Sequence, residues 1–210
     1  MTDAEKLISI ARKELGTKEP TGDDKYLKWY NKVTGYTVPM NTPWCAVFVS
    51  WCMCKVFKQF KPFASCTWMM MELRNQGRIA TRRENAMKVK PGQLVFYDWD
   101  GSGDCDHVGI VESIKYGTTL HVIEGNYSDS VKIRTIASDD VRICYYGLLP
   151  KSAYIDYDVN GDGEVNANDA KEILQQAVGK KPKTKKADVN NDGKVDANDA
   201  KAVLKKAVGK

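Results

Sequence analysis

The chain has 210 residues, a net charge of +5 and a hydrophobic fraction of 42%, which is enough apolar material for one ordinary domain and a smaller second one. The charge is too small to argue for nucleic-acid binding, and no apolar run approaches the roughly 20 residues that span a bilayer. The first 16 residues are polar and then amphipathic, without the apolar core of a signal peptide. We therefore expect neither a nucleic acid nor a membrane among its partners.

Three helices are predicted in the first part of the chain. The first covers residues 3–15, where apolar side chains share one helical face: Leu7, Ile8, Ala11 and Leu15. A second helix is predicted to begin at Trp44. A third lies within residues 64–77, where Gly77 would end it.

Beyond the turn at residues 90–92 the apolar period changes from helical to two. Five short β-like runs follow, namely residues 93–99, 107–114, 119–126, 131–137 and 143–149. Helices followed by a series of neighbouring strands predict an α+β domain with an antiparallel sheet. Pro150 and its polar neighbours predict a domain boundary near residue 152, giving domains 1–152 and 153–210.

Cys45 lies at the predicted start of the second helix, in the segment TPWCAVFVSWC. In a first helical turn a thiol experiences the positive end of the helix dipole and free backbone N–H groups, which favour the thiolate. The same N–H groups can hold the oxyanion that forms when a thiolate attacks an amide. A buried structural cysteine is the commoner role, so the case for a nucleophile depends on the partners of Cys45.

The chain contains two histidines, His107 and His121. His107 opens a predicted strand, and Gly109, which faces the same side, leaves room for another group to approach. On the next strand Glu124 and His121 face opposite sides, which favours His107 as the general base. Glu124 could orient its imidazole, whereas Asn126 could share that role, donate to the oxyanion, or serve only as a turn residue.

Four stretches, TPWCAVFVSWC, PGQLVFYDWD, DHVGIVE and HVIEGN, resemble the CHAP family, the cysteine- and histidine-dependent amidohydrolases and peptidases of bacterial cell-wall turnover. The resemblance covers roughly residues 4–150. It implies a papain-like α+β fold in which Cys45 is the nucleophile, His107 the base and Glu124 the orienting group, with Asn126 nearby and no cofactor. It also implies N-acetylmuramoyl-L-alanine amidase or peptidoglycan endopeptidase activity, without separating the two.

All six cysteines lie between Cys45 and Cys144. If one of them is the nucleophile, at least one other thiol stays unpaired within the monomer. The cysteine count therefore leaves both the redox compartment and the disulfide pattern open.

The C-terminal part of the chain is an internal repeat, in which residues 158–180 and 188–210 are identical at 16 of 23 positions. Each copy fits a calcium loop with side-chain oxygen ligands at positions 1, 3, 5, 9 and 12, a glycine at position 6 and a backbone carbonyl at position 7. The first loop comprises Asp158, Asn160, Asp162, Gly163, Glu164, Asn166 and Asp169. The second comprises Asp188, Asn190, Asp192, Gly193, Lys194, Asp196 and Asp199. Such hard oxygen ligands, without His or Cys, predict two Ca²⁺ and exclude a zinc site.

One amphipathic helix is predicted after each loop, and its apolar residues recur in both copies: Ala170, Ile173, Leu174, Ala177 and Val178, then Ala200, Val203, Leu204, Ala207 and Val208. No helix leads into the second loop, so the unit differs from a paired EF-hand. The expected second domain is therefore a small all-α unit of two calcium loop–helix repeats.

Two such loop–helix units resemble a type I dockerin, the module that binds cohesin domains in cellulosome-type scaffolds. The resemblance implies two structural Ca²⁺, a cohesin partner and an extracellular location. It also implies partner contacts at loop positions 10 and 11, which are Ala167, Asn168, Ala197 and Asn198. Because the two copies are nearly equivalent, we expect docking in either of two orientations related by a half turn.

Three functions compete on this basis. The first is a cell-wall hydrolase delivered by docking, and the second is a secreted protease or amidase that acts on other substrates. The third is a scaffold-attached binding module with a decayed site, against which the intact Cys45, His107 and Glu124 argue. The sequence does not separate the first two.

Overall fold

The computed structural model describes residues 2–19, 25–150, 157–162 and 164–208. These residues form two compact units, one within residues 3–150 and the other within residues 157–208. The boundary predicted near residue 152 and the loop glycine Gly163 lie outside the described residues. No helix in the described ranges is long and apolar enough to cross a membrane.

Four helices precede the sheet in the described part of the first unit: α1 (Asp3–Arg12), α2 (Lys25–Thr34), α3 (Cys45–Val56) and α4 (Cys66–Asn75). The prediction for α1 was three residues too long, because the chain turns after Arg12 and Gly16 adopts a φ of +83°. Leu15, predicted on the apolar face, is consequently exposed. Helix α2, which the sequence did not predict, buries Tyr26, Leu27 and Tyr30. Gly77 (φ +64°) follows the end of α4 as predicted.

The described residues of the first unit form one six-stranded antiparallel sheet, so the predicted α+β fold is confirmed. Its strands are β1 (Ile79–Thr81), β2 (Leu94–Tyr97), β3 (His107–Lys115), β4 (Thr119–Glu124), β5 (Lys132–Ala137) and β6 (Ile143–Gly147), in the order β1-β6-β2-β3-β4-β5. The five predicted runs correspond to β2–β6. The short strand β1 and helix α5 (Arg82–Asn85) were not predicted.

Helix α3 lies at the centre of the first unit. It packs against β3 and β4 and is flanked by α1 and α2. Its sequence is apolar on nearly every side, as expected of a helix that is buried all round, and its first six residues are buried. Because packing fixes the whole helix, the position of its first residue, Cys45, is fixed too.

The second unit contains helices α6 (Ala167–Ala177) and α7 (Ala197–Ala207), which pack against each other. Its core comprises Val159, Ala170, Ile173, Ala187, Val189, Ala200 and Val203. Only two of the five apolar residues predicted for each helix are buried, namely Ala170 and Ile173, and Ala200 and Val203. Two of the others are exposed in the same way in both copies: Leu174 and Leu204 are each 44% exposed, and Val178 and Val208 are 68% and 67% exposed.

Candidate active site and calcium loops

Helix α3 begins at Cys45, one residue after the predicted start at Trp44, so Cys45 lies in the first turn as predicted, and it is buried. The residue before it, Trp44, takes the N-cap position but makes no side-chain cap, which leaves the backbone N–H groups of the first turn available. The N–H of Ala46 points at the Cys45 sulfur. The start of α3 can therefore stabilise a negative charge on this sulfur.

His107 is the first residue of β3, and its Nε2 lies 3.1 Å from Oε2 of Glu124. Glu124 is the last residue of β4 and is completely buried. The imidazole also lies close enough to the Cys45 thiol for each group to shift the pKa of the other. Since Glu124 engages Nε2, Nδ1 is the nitrogen that serves Cys45, and the three side chains form a nucleophile–base–carboxylate series.

Gly109 supplies the room for this contact, as the sequence suggested. A Cβ atom at this position would lie 2.5 Å from Cγ1 of Val122 and 2.7 Å from Cγ of Glu124. Gly125 plays the equivalent part between β4 and α3, because a Cβ there would lie 2.5 Å from Phe48 and 2.8 Å from Trp44. These two glycines allow the carboxylate to approach the histidine strand and allow the strand to approach the cysteine helix.

Arg134 on β5 is part of the site, although no motif in the sequence indicated it. Its Nε lies 2.8 and 2.9 Å from the two carboxylate oxygens of Glu124. The guanidinium lies over the rings of Tyr127, Trp99 and Tyr97, at 4.2, 4.9 and 5.7 Å from their centroids. The aromatic rings hold the arginine, and the arginine holds the carboxylate.

The pKa values within this series shift towards a thiolate–imidazolium pair. Burial by itself would lower the pKa of His107, but hydrogen bonds to Cys45 and Glu124 outweigh burial and raise it to about 9. The pKa of Cys45 falls well below its ordinary value, first because Cys66 hydrogen-bonds it and then, against the effect of burial, because His107 does. Burial opposes ionisation of Glu124, yet the bonds from His107 and Arg134 lower its pKa.

Asn126 and His121 differ in their relation to this series. The chain leaves β4 at Glu124, and Asn126 adopts a φ of +57°, so the strand alternation that would set it beside Glu124 does not extend to it. Among the described residues it makes no hydrogen bond to Cys45 or His107. The other histidine, His121, lies away from Glu124 as predicted, with Nδ1 4.0 Å from Glu112.

A groove of about 1050 Å³ is lined by Trp44, the residue before Cys45, and by Asn126, whereas Cys45, His107 and Glu124 are not among its lining residues. Its walls carry both signs of charge, with Lys18 and Lys132 opposite in charge to Asp129. It can hold a polar ligand that itself carries both amino and carboxylate groups. Asn126 is therefore better placed to contact a substrate than to orient His107.

All six cysteines are thiols in this structure, and four of them form two close pairs. The Sγ atoms of Cys45 and Cys66 are 3.5 Å apart, and so are those of Cys105 and Cys144. Cys66 is the first residue of α4, as Cys45 is of α3. No motif or spacing in the sequence associates Cys66 with Cys45.

The two repeats of the second unit have matching loop geometry. In the first loop Nδ2 of Asn160 at position 3 donates a hydrogen bond to Oδ2 of Asp162 at position 5, at 2.8 Å. In the second loop Asn190 donates to Asp192 in the same way, at 3.1 Å. The Oδ1 atoms of the residues at positions 1, 3 and 5 accept hydrogen bonds from backbone N–H groups of the same loop. The side-chain oxygens at positions 1, 3 and 5 are thus gathered within each loop.

Position 12 of each loop is a completely buried carboxylate, Asp169 or Asp199. Each accepts hydrogen bonds from two loop N–H groups, which for Asp169 are those of Asn160 and Asn166. The residue at position 9 also caps the following helix. A donor set made wholly of oxygen atoms, closed by a buried carboxylate, fits a hard cation such as Ca²⁺.

The family comparisons agree with this division of the molecule. Residues 37–126 match the family model of the CHAP domain, and residues 156–208 match that of the dockerin type I domain. The chain is a CHAP domain fused to a type I dockerin. A search of the curated proteins finds no match.

The CHAP match is shorter than the resemblance expected over residues 4–150, since α1, α2, β5 and β6 lie outside it. It contains Cys45, His107 and Glu124 but ends before Arg134. CHAP domains are amidases and peptidases, so the first unit is an amide hydrolase, and the dockerin is an anchoring module.

Proposed function

We propose that the CHAP domain cleaves an amide bond of bacterial peptidoglycan through Cys45, and that the dockerin attaches it to a cohesin-bearing extracellular scaffold. The observation that best supports catalysis is the buried series in which Glu124 contacts His107 at 3.1 Å, while His107 and Cys45 raise and lower each other's pKa. We would not expect a site that has lost its activity to retain this series together with the Arg134 contact to its carboxylate.

The proposed mechanism is acyl transfer through a thioester. The Cys45 thiolate attacks the amide carbonyl, and backbone N–H groups at the start of α3 stabilise the oxyanion. Protonated His107 then gives its proton to the leaving amine, and the acyl group remains on Cys45. Neutral His107 next takes a proton from water, which hydrolyses the thioester and releases the new carboxylate. Glu124 holds the imidazole in one orientation throughout, and Arg134 keeps Glu124 ionised and in place.

Two observations support a peptidoglycan substrate. CHAP domains commonly act on peptidoglycan, and the groove lined by Trp44 and Asn126 carries charges of both signs. Peptidoglycan stem peptides also carry both amino and carboxylate groups, so they can pair with Lys18, Lys132 and Asp129. Cleavage of the muramoyl–alanine bond and cleavage within the peptide are both compatible with this groove.

Hydrolysis is tested by incubating purified peptidoglycan with the wild type, with Cys45→Ala and with Cys54→Ala, under reducing conditions and with calcium. New amino groups and soluble muropeptides are then measured, and mass spectrometry identifies the new termini. We expect release by the wild type and by Cys54→Ala, whose thiol bonds Phe60 rather than His107, but not by Cys45→Ala. Release that persists in Cys45→Ala would reject the nucleophile, and cleavage of proteins but not of peptidoglycan would reject the substrate.

For the dockerin we propose that two Ca²⁺ are held by the matched loops. The ligands would be Asp158, Asn160, Asp162, the Glu164 carbonyl, Asn166 and Asp169 in one loop, and Asp188, Asn190, Asp192, the Lys194 carbonyl, Asp196 and Asp199 in the other. Each cation would hold together the oxygen ligands of one twelve-residue loop, and its binding free energy would stabilise the fold.

The cohesin surface would combine the predicted contacts Ala167 and Asn168 with the exposed apolar residues of the same helix. Ala167, Leu174 and Val178 recur at spacings of seven and four, so they form one stripe along α6. The second copy repeats this stripe with Ala197, Leu204 and Val208. The two stripes are equivalent, which supports docking through either helix.

Docking is tested by calorimetry with a panel of type I cohesins, using Leu174→Asp, Leu204→Asp and the double variant. Each single variant should retain affinity within a few-fold, because the other stripe remains intact, while the double variant should lose binding. Loss of binding in one single variant would reject two equivalent orientations.

A further inference from the structure

The mechanism proposed above makes no use of Cys66, although no other sulfur in the described structure lies as near to the nucleophile. Cys66 Sγ lies 3.5 Å from Cys45 Sγ, and both thiols are buried. This distance is within hydrogen-bonding range for sulfur. One of the two thiols can donate its S–H to the other when the other is ionised.

The surroundings of the two thiols decide which one carries the charge. Cys45 lies at the start of α3 and near His107, and both surroundings favour its thiolate. Cys66 is instead buried near Asp106, and both its burial and this negative charge would oppose a thiolate at this position. The proton therefore remains on Cys66, and the negative charge belongs to Cys45.

We propose that Cys66 is a positioning residue whose S–H donates a hydrogen bond to the Cys45 thiolate and holds this sulfur ionised and oriented before the substrate binds. This proposal rests on the proposed role of Cys45 as nucleophile. The hydrogen bond belongs to the resting enzyme, because a thioester sulfur carries no negative charge to accept it. The opposite pKa shifts of the pair, with Cys45 lowered and Cys66 raised, agree with this direction of donation.

The proposal has a signature that a purely structural role lacks. Loss of a donor to a thiolate raises the thiol pKa, so the sulfur reacts more slowly at acidic pH. At alkaline pH the same sulfur, now more basic, reacts faster, since thiolate nucleophilicity rises with pKa by a factor of about three per unit. A variant with a loosened active site would instead change the rate in the same direction at every pH.

The test is the rate at which iodoacetamide alkylates Cys45 in the folded full-length chain, followed between pH 4 and 10 by mass spectrometry of the Cys45 peptide. The variants are Cys66→Ala and Cys66→Ser, with Cys54→Ala as the control, because Cys54 is a thiol on the same helix that donates to the Phe60 carbonyl. We expect Cys66→Ala to raise the alkylation midpoint by about one pH unit, a tenfold change in the ionisation constant. The midpoint of Cys66→Ser should lie between those of Cys66→Ala and the wild type, and Cys54→Ala should match the wild type.

An unchanged midpoint in Cys66→Ala would overturn the proposal, as would equal shifts in Cys66→Ala and Cys54→Ala. A Cys66→Ser midpoint identical to that of Cys66→Ala would likewise reject donation from this position. Alkylation needs no substrate, so the result does not depend on whether the protein cleaves peptidoglycan. A shifted midpoint in a protein that hydrolyses nothing would uphold the Cys66 hydrogen bond and reject the proposed function.

Discussion

At the scale of single residues, the proposed acyl transfer depends on a carboxylate that is both buried and charged. Glu124 has no exposed surface, yet the contacts from His107 and Arg134 keep its pKa low. Its charge in turn helps to raise the pKa of His107 to about 9. The imidazole therefore stays protonated across neutral pH, where it can stabilise the Cys45 thiolate and protonate a leaving amine.

The first prediction concerns the pH dependence of kcat/KM. Because the pKa of Cys45 is lowered, activity should rise on the acidic side well before the ordinary thiol pKa is reached. It should fall above about pH 9, where His107 loses its proton. In Glu124→Gln the alkaline limb should move to lower pH, towards the ordinary histidine value, and kcat should fall by about 100-fold.

Glu112→Gln is the matched control, since Glu112 is also a buried glutamate that pairs with an arginine, Arg12, at 2.7 Å. It lies beside His121 rather than His107. Its alkaline limb should stay near pH 9. An alkaline limb that does not move in Glu124→Gln would contradict the role given to this carboxylate.

The candidate site residues that the sequence indicated are those marked by their near neighbours along the chain. Cys45 was indicated by its position at a helix start, and His107 by the strand it opens and by Gly109 on the same face. Arg134 has no such signal, because its contact with Glu124 exists only once β5 pairs with β4. Cys66 meets Cys45 through the packing of α4 near α3, which no spacing in the sequence reveals.

At the scale of elements, the site depends on how closely β3, β4 and α3 approach one another. Gly109 lets β4 bring Glu124 against β3, and Gly125 lets the end of β4 lie against the first turns of α3. Side chains larger than hydrogen at these positions would separate the elements that carry the three groups.

The second prediction is that Gly109→Ala lowers kcat/KM by about 100-fold, because the added methyl group must displace Val122 or Glu124 and so move the carboxylate from His107. Steady-state kinetics measures the loss, and circular dichroism checks that the sheet persists. Ser113→Ala, on the same strand but half-buried and outside the site, should leave activity unchanged. Wild-type kinetics in Gly109→Ala would show that the close approach is not required.

Elements with a long or regular apolar period were predictable, and short ones were not. Helix α3 and strands β2–β6 follow their patterns, whereas β1 has three residues and depends on pairing with β6. Helix α2 buries Tyr26, Leu27 and Tyr30, but its other apolar residues, Trp29 and Val33, are half-buried and exposed, which obscures its period. The predicted face of α6 was apolar throughout, but a helix packed on one neighbour buries only part of it, and Leu174 stays exposed.

At the scale of the whole molecule, the two proposed functions belong to separate units. The groups proposed for acyl transfer, Cys45, His107 and Glu124, all belong to the first unit, and the proposed calcium ligands all belong to the second. The internal repeat further divides the second unit into two equivalent halves. Loss of one function should therefore leave the other measurable.

The third prediction is that removal of calcium unfolds the dockerin and abolishes cohesin binding, because the loop ligands are brought together by the cations. Far-ultraviolet circular dichroism should lose the signal of α6 and α7 on chelation and regain it when Ca²⁺ is returned. Mg²⁺ should restore it poorly, since it requires a smaller and more rigid octahedral site.

Asp158→Ala combined with Asp188→Ala is the matching variant, and it should be unfolded in this unit even with calcium present. Hydrolysis by the CHAP domain should continue in both cases. Unchanged helicity after chelation would contradict the calcium-dependent fold.

A search for the acyl-enzyme on Cys45 is the most direct test of covalent catalysis by this residue. Wild-type protein is mixed with a soluble peptidoglycan fragment and quenched in acid within milliseconds to seconds, and the masses of the intact chain and of its Cys45 peptide are then determined. We expect a transient adduct on Cys45 whose mass equals the carbonyl side of the cleaved bond. This adduct is a muramoyl group for an amidase, or a peptidyl group for an endopeptidase. Turnover of the fragment with no adduct at any time, together with undiminished turnover in Cys45→Ala, would contradict this expectation.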